Sequence, residues 1–326
     1  MSLAVFAACG GRTGLESAPG QGSDGGTLAP DGGPSGQDAP SVATTMLLFG
    51  GETHPDPSSV TYLSDTWTWD GATWTRLDVQ GPAARSAAAA ATLGTTTILF
   101  GGVNAAGGLA DTWTWDGSGW TQVEVPGPSA RAGAAIATLG GAVVVFGGAG
   151  DQGELGDTWT WDGTSWTQRL AASGPSPRAA AVAATLQGNV VLYGGWNNGG
   201  LNFPDDTWTW DGSQWTQQQV AGPGEQLSDP TALLDCAAGV LDAELVLSCH
   251  GQTWTWDGTR WTQQPAAGPN VQGASISPTG GLLVQFGGFD GVEDTSATWT
   301  WNGQGTWAML STPGPSARNF AAAAAR

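Results

Sequence analysis

Side chains that could perform acid–base, nucleophilic or metal chemistry are scarce in this chain of 326 residues. It has two histidines, His54 and His250, and two tyrosines, Tyr62 and Tyr193. All nine basic residues are arginines, which excludes Schiff-base chemistry and amine bases. Histidine and tyrosine, which can bind copper, are thus present, but a metal site needs ligands that converge on one point. We predict a protein without catalytic residues, metal or cofactor.

A tryptophan-rich repeat fills most of the chain and would position these side chains. DTWTWDG stands at 65–71, 111–117, 157–163 and 206–212, with variants at 252–258 and 297–303. The tryptophan pairs recur at steps of 46, 46, 49, 46 and 45 residues, and a third tryptophan follows each pair. The triplets are Trp67/Trp69/Trp74, Trp113/Trp115/Trp120, Trp159/Trp161/Trp166, Trp208/Trp210/Trp215, Trp254/Trp256/Trp261 and Trp299/Trp301/Trp307.

Each repeat contains four short strand candidates, as residues 85–122 illustrate. RSAAAAATL is small and apolar, TTTILFGG is β-branched, DTWTWD alternates with period two, and GWTQVEV pairs back across a turn. A unit of four strands and about 46 residues has the size of a propeller blade.

The order of these marks resembles the Kelch repeat. FGG at 49–51, 100–102, 146–148 and 286–288, and YGG at 193–195, each follow an apolar strand and precede a tryptophan triplet. The resemblance implies an all-β fold, a six-bladed β-propeller of four-stranded antiparallel blades, over residues 41–326. The fifth unit departs from the pattern, because LSCHG at 247–251 replaces the glycine pair and Gln252 the usual aspartate.

The two ends of the repeat region complement one another. The first unit begins at 44–51 without an alanine-rich strand, and residues 314–326, GPSARNFAAAAAR, supply one at the end of the chain. We therefore predict that the C-terminal strand joins the N-terminal blade, beside strands from residues 46–77, and closes the ring.

The tryptophans favour an architectural role. Trp67 and Trp69 project to one side of a strand, and a four-residue turn places Trp69 opposite Trp74. We expect each cluster to fill the outer gap between blades and the alanines to line the crowded axis. A ring of sugar-stacking platforms is the alternative.

Charged residues also recur in register. Arginine follows GPxx at Arg85, Arg131, Arg178 and Arg318, while Gln226 and Gln272 interrupt the series in blades five and six. We interpret these arginines as blade-entry residues that bond loop carbonyls, with an anion-binding ring as the alternative. Asp65, Asp111, Asp157 and Asp206 are expected to cap turns, with a calcium role as the alternative.

Two enzyme families offer a runner-up interpretation. Galactose oxidase-like copper enzymes use a propeller similar to Kelch, with two histidines and two tyrosines at the metal. Here Tyr193 fills a repeat position held by Phe100 and Phe146, and His250 replaces a repeat glycine. WDGATWT at 69–75 is similar to a sialidase Asp-box, but its glycine spacing differs. An envelope glycan hydrolase or copper oxidase-like enzyme therefore remains the alternative.

The N-terminus indicates export. LAVFAACGG resembles the end of a bacterial lipoprotein signal peptide, with residues 1–9 as its remnant and Cys9 as the lipidated residue. Residues 10–40 are rich in Gly, Pro, Ser and Asp and predict a disordered tether. The expected location is the cell envelope, as a lipoprotein, or the secreted fraction.

Cys236 and Cys249 flank AAGVLDAELVLS. Antiparallel pairing about Asp242 and Ala243 would place the two cysteines opposite one another, and an exported protein would join them in a disulfide. Two buried free thiols are the alternative.

The loops between second and third strands vary, and variable loops on a rigid ring are the usual place for recognition. Trp196 and Phe203 are not required by the repeat, and Tyr62, His54 and Phe289 lie in the same set of loops. We predict that these five residues bind a ligand. The alternative is that these five residues only cover neighbouring loops.

The formal charge of −19 disfavours nucleic acid and anionic lipid as partners. The sequence therefore predicts a monomeric, non-catalytic binding scaffold that holds a protein or glycan partner and meets the membrane only through an N-terminal lipid anchor.

Overall fold

The computed structural model describes residues 45–56, 58–224, 235–265 and 267–326. The predicted leader with Cys9, the tether and Gln226 lie outside the described residues. In the described part, no helix is long and apolar enough to cross a membrane.

Six four-stranded antiparallel sheets form the six predicted blades. Blade 1 contains Ala322–Ala325, Met46–Phe49, Thr66–Trp69 and Trp74–Leu77; blade 2 Ala89–Leu93, Thr96–Phe100, Thr112–Trp115 and Trp120–Val123; blade 3 Ala135–Leu139, Ala142–Phe146, Thr158–Trp161 and Trp166–Arg169. Blade 4 contains Val182–Leu186, Asn189–Tyr193, Thr207–Trp210 and Trp215–Gln218; blade 5 Ala237–Leu241, Glu244–Cys249, Gln252–Trp256 and Trp261–Gln264; blade 6 Ser275–Thr279, Leu282–Phe286, Thr298–Trp301 and Ala308–Leu310.

Short hairpins extend three of the loops between second and third strands. They are Glu52–Asp56 with Ser59–Tyr62, Val103–Asn104 with Gly107–Gly108, and Ala149–Gly150 with Gly153–Glu154.

The C-terminal strand closes the ring. Ala322–Ala325 pairs antiparallel with Met46–Phe49, and two backbone hydrogen bonds of 2.8 and 3.1 Å between Thr45 and Arg326 extend this pairing. The strand supplies the innermost position of blade 1 and leaves no open edge there. The predicted all-β, six-bladed propeller with this closure is confirmed.

The glycine pair after the second strand of five blades is needed for close packing, and blade 5 lacks the pair. Gly50 has a φ of 65°, a left-handed conformation that glycine adopts readily. A Cβ atom on Gly50 would lie 2.6 Å from the carbonyl oxygen of Arg85 in the next blade. The repeated FGG therefore lets the chain pass beside the entry of the neighbouring blade.

The third tryptophan of each triplet ties its blade to the preceding one. Trp120 Nε1 donates a hydrogen bond to Thr66 Oγ1 at 3.0 Å, from blade 2 to blade 1. All six junctions carry this bond, at 2.8–3.0 Å, and the other five pairs are Trp74–Thr298, Trp166–Thr112, Trp215–Thr158, Trp261–Thr207 and Trp307–Thr253. The bond from Trp74 crosses the closure, so the seam between blades 6 and 1 has the same contact as the others.

The second tryptophan of each triplet packs on the third. Trp69 pairs directly opposite Trp74, as the sequence predicts, and their ring centroids lie 5.3 Å apart. Trp69 is fully buried, and Trp74 also contacts Phe286 of blade 6. These inter-blade contacts agree with the architectural interpretation of the repeat.

Candidate partner-binding face

Arginines at the blade entries form buried clamps. Arg131, which is 1% exposed, donates from Nη1 and Nη2 to the two carboxylate oxygens of Asp157 at 2.6 and 3.0 Å. Its Nη1 also donates to the Gly147 carbonyl, and Trp159 Nε1 donates to the same carboxylate at 2.7 Å. The equivalent sets are Arg85–Asp111–Trp113, Arg178–Asp206–Trp208 and Arg318–Asp65–Trp67.

These clamps decide between the two interpretations of the arginines. Each guanidinium group is buried and bonded to a carboxylate and to backbone carbonyls, which agrees with the blade-entry role. An anion-binding arginine ring is therefore wrong, since these groups do not face solvent.

Two sequence assignments need correction. Asp65 does not cap a turn, because its carboxylate accepts from Arg318 and Trp67; the turn is capped by Asp70, whose Oδ1 accepts from the amides of Ala72 and Thr73. The second correction concerns Gln272, which the sequence alone assigns to the arginine position of blade 6. The loop before blade 6 is one residue shorter than the equivalent loops, so another residue occupies the position of the clamp arginine.

Val271 occupies that position. Gln272 instead pairs with Phe289 as Ala132 pairs with Ala149 in blade 3. The aspartate position of blade 6 is Ala297, whose carbonyl accepts from Gly287 as the Asp157 carbonyl does from Gly147. Arginine and aspartate are thus absent together from blade 6.

The clamps give the propeller acid-sensitive contacts. Burial alone would raise the pKa of Asp65, Asp111, Asp157 and Asp206, but the arginine and tryptophan hydrogen bonds with the arginine charge hold it below 3.8. A lowered folded-state pKa stabilises the fold above the unfolded value. This stabilisation is therefore present at neutral pH and is lost as the pH falls through the lowered pKa values.

A polar network crosses the closure on the variable-loop face, the face formed by the loops between second and third strands. His54 of blade 1 donates its amide to Asp294 Oδ2 of blade 6 at 2.6 Å, and its Nδ1 lies 3.2 Å from the same oxygen. Asn319 Nδ2 donates to Asp294 Oδ1 at 2.8 Å. Ser86 of blade 2 donates to Glu52 Oε2 at 2.7 Å.

The network is anionic and largely buried. Glu52 is 5% and Asp294 9% exposed, and burial raises the pKa of Glu52 despite the Ser86 hydrogen bond and the His54 charge. Burial, with the charge of Glu52, also raises the pKa of Tyr62. Glu52 could have been noticed in the sequence, since other blades have Val103, Ala149, Trp196 or Phe289 at its position.

The five predicted ligand residues are all half-buried and fall into two groups. Tyr62, His54 and Phe289 lie where blades 1 and 6 meet, because the loop that begins at Phe289 carries Asp294, the partner of His54. Trp196 and Phe203 lie in the loop of blade 4, three blades from blade 1 around the ring. The structure does not bring the two groups together in one contact.

Large exposed apolar side chains occur on the same face. Val60, Leu201 and Val292 are 47%, 80% and 86% exposed, and they belong to the variable loops of blades 1, 4 and 6. Contiguous exposed apolar side chains mark interaction sites, and Val60 and Val292 belong to the loops of the neighbouring blades 1 and 6, while Leu201 lies apart in blade 4. Leu170 and Met309 are also exposed, but they lie at the outermost strands of blades 3 and 6.

The loop of blade 4 is anchored to the core beneath it. Tyr193, a buried core residue that contacts Trp261, donates its hydroxyl to Asp205. Burial and the charge of Asp205 raise the pKa of Tyr193 far above its usual value. Asp205 also accepts from the Gly224 amide at 2.8 Å. The Tyr193–Asp205 hydrogen bond therefore joins the two ends of the loop that carries Trp196.

Cys236 and Cys249 are joined in a disulfide, with their Cα atoms 4.7 Å apart. The hairpin pairs Ala237 with Ser248 and turns at Asp242 and Ala243, which both have positive φ. Within the described residues, no group of three or more His, Cys, Asp or Glu side chains is arranged to hold a metal ion.

Comparison with known families agrees with the repeat. Residues 31–163 match the family model described as the KLHDC2/KLHL20/DRC7 Kelch-repeats domain. This region is Kelch-like. The match covers less than half of the chain, and the described part of it contains blades 1 and 2 with three strands of blade 3, apart from the closing strand. No curated protein matches the chain significantly.

Proposed function

We propose that this Kelch-like propeller is a non-catalytic interaction scaffold whose variable-loop face holds a protein partner. Kelch propellers generally bind protein partners. The observation that carries the proposal is the exposure of Val60, Leu201 and Val292 on the variable-loop face, beside half-buried aromatic side chains. Such apolar and aromatic side chains are the usual anchors of protein interfaces.

Photo-crosslinking in the source cells tests this face. Benzoylphenylalanine at position 201 or 292 should give discrete protein adducts, because these exposed side chains would lie within the interface. Positions 170 and 309 are matched controls, since Leu170 and Met309 are also apolar and exposed but lie at the outer strands. Equal adducts from all four positions would contradict the proposal. Adducts whose added mass is removed by glycosidase would point to a glycan partner instead.

The proposal includes location at the bacterial cell envelope, as a monomer attached through Cys9. The leader-like sequence, the tether composition and the disulfide support it, because disulfides persist in oxidising compartments. The protein in source cells should partition into a Triton X-114 detergent phase, and Cys9→Ala should move it to the aqueous phase. Detection of the unchanged protein in the cytosolic fraction alone would contradict export.

A further inference from the structure

The central channel opens on the variable-loop face through a ring of six backbone positions. The residue two places before each innermost strand has a positive φ, and these residues are Ala87, Gly133, Ala180, Asp235, Gly273 and Phe320. Their amides bond around the axis: Gly133 donates to Ala87, Gly273 to Asp235 and Phe320 to Gly273, at 2.7–2.9 Å. The ring therefore fixes which side chains stand at the opening.

The channel behind this ring has apolar walls and one carboxylate. Its volume is about 260 Å³, and most of the residues that line it are alanines, although blade 6 contributes Ser275 and Ile276. Among the described residues that line it, Asp235 alone carries a charge. Asp235 occupies a position where four of the other blades have alanine or glycine.

Asp235 stands in an environment that disfavours its charge. Burial, and to a smaller extent the charge of Glu52, raise the pKa of Asp235 to about 6. Both effects would be offset by a cation placed beside Asp235.

An aromatic ring lines the same end of the channel as Asp235. Gly273 is the next residue around the ring of backbone positions, and its amide donates to the Asp235 carbonyl. The side chain of Phe320 covers this glycine, since a Cβ atom on Gly273 would lie 2.8 Å from Phe320 Cε1. The Phe320 ring thus packs directly on Gly273, and Asp235 and Phe320 both line this end of the channel. Aromatic faces attract organic cations within about 6 Å of the ring centroid.

We propose that this end of the channel binds an alkylammonium group. The ammonium head would meet Asp235 and the ring of Phe320, and its methylene chain would lie against the alanine walls. The group could be a free aliphatic amine or the lysine side chain of a partner. The inference does not rest on the apolar loop contacts of the proposed function, so either can fail alone.

Calorimetric titration of the full chain with n-butylammonium at pH 7.5 and low salt tests the proposal, with n-butanol as the neutral analogue. Butylammonium should bind at least tenfold more tightly than butanol. Asp235→Asn should weaken butylammonium binding at least tenfold, and Phe320→Leu severalfold. Asp151→Asn is the matched control, because Asp151 is an exposed carboxylate on the same face. Equal affinity of the wild type and Asp235→Asn would overturn the proposal.

The pH dependence provides a second readout without substitution. The affinity for butylammonium should fall between pH 7.5 and pH 5, because Asp235 takes up a proton near pH 6 while the amine, with a pKa of about 10.4, stays charged. A pH-independent affinity would contradict a role for Asp235. The charge of Glu52 also acts on Asp235, and Glu52→Gln should weaken binding less than Asp235→Asn.

Loss of binding in Asp235→Asn should not come from unfolding. The pKa of Asp235 is raised above its unfolded value, so its ionisation destabilises the fold as the pH rises through about 6. The Asp235→Asn protein should therefore be at least as stable as the wild type at pH 7.5.

An acetylated lysine-containing peptide and its norleucine analogue separate the two sources of the cation. Tighter binding of the lysine peptide than of butylammonium assigns the site to a partner's side chain, and the reverse assigns it to a free amine.

Discussion

Deletion of residues 321–326 should lower the stability and the unfolding cooperativity of the propeller. The deletion removes the innermost strand of blade 1, in which Ala322 and Ala324 are buried. It would leave Met46–Phe49 as an open apolar edge and remove packing at the closure between blades 6 and 1. Urea unfolding followed by tryptophan fluorescence should show a smaller m-value and a lower midpoint than for the full chain, because less surface is buried in the native state.

A circular permutant provides the control for this deletion. Residues 313–326 placed before Thr45, through a two-residue turn like Gly94–Thr95 in blade 2, would restore the strand without its original connection. Thr45 and Arg326 are already hydrogen-bonded neighbours, so a short turn can join them. The permutant should recover the m-value of residues 45–326. An unchanged m-value and midpoint in the deleted chain would contradict closure by the C-terminal strand.

Arg131→Val should destabilise the propeller by about 3 kcal/mol, the lower end of the range for breaking a buried ion pair. The substitution leaves Asp157 and the Gly147 carbonyl without their buried donor. The expected loss lies at the lower end of this range because the Asp157 side chain is 24% exposed and water can partly solvate it. Urea unfolding at pH 7 measures the loss, and Arg76→Val at an exposed position should change stability by less than about 0.5 kcal/mol.

Blade 6 suggests the decisive control for this clamp. Blade 6 has Val271 and Ala297 where blade 3 has Arg131 and Asp157. The double substitution Arg131→Val with Asp157→Ala therefore gives blade 3 the pair of residues that blade 6 already has. The double variant should be destabilised by clearly less than the sum of the two single variants, because neither partner is left unpaired. Additive losses would show that the two side chains do not act as a pair.

Much of the fold could be predicted from the sequence, because its signals are local and repeated. The tryptophan spacing predicted six units of similar length, and the four-residue turn predicted that Trp69 lies opposite Trp74. The sequence between Cys236 and Cys249 likewise contains both strands of the hairpin that brings them together.

The side-chain networks could not be predicted with the same success. The Arg–Asp clamps join residues that are 26–28 positions apart within a blade, and 253 apart for Arg318 and Asp65, with no local pattern to link them. The loop before blade 6 is one residue shorter than the equivalent loops. Comparison of the repeats therefore assigned the clamp position to Gln272, although Val271 occupies it. Asp294 meets His54 only through the closure, because the two residues are 240 positions apart, so no single segment of sequence contains their signal.

The central claim is that the repeated tryptophans build the ring while the variable-loop face is left for binding. The unfolding free energies of Trp166→Ala and Trp196→Ala, from urea curves on the full chain, test it most directly. Trp166 is buried and bonds Thr112 of the preceding blade, so its loss should cost about 3–5 kcal/mol. Trp196 is half-buried and pairs with Ala179 through backbone atoms that alanine retains, so its loss should cost about 1 kcal/mol or less. Equal losses, or a larger loss for Trp196, would contradict this division between architecture and binding.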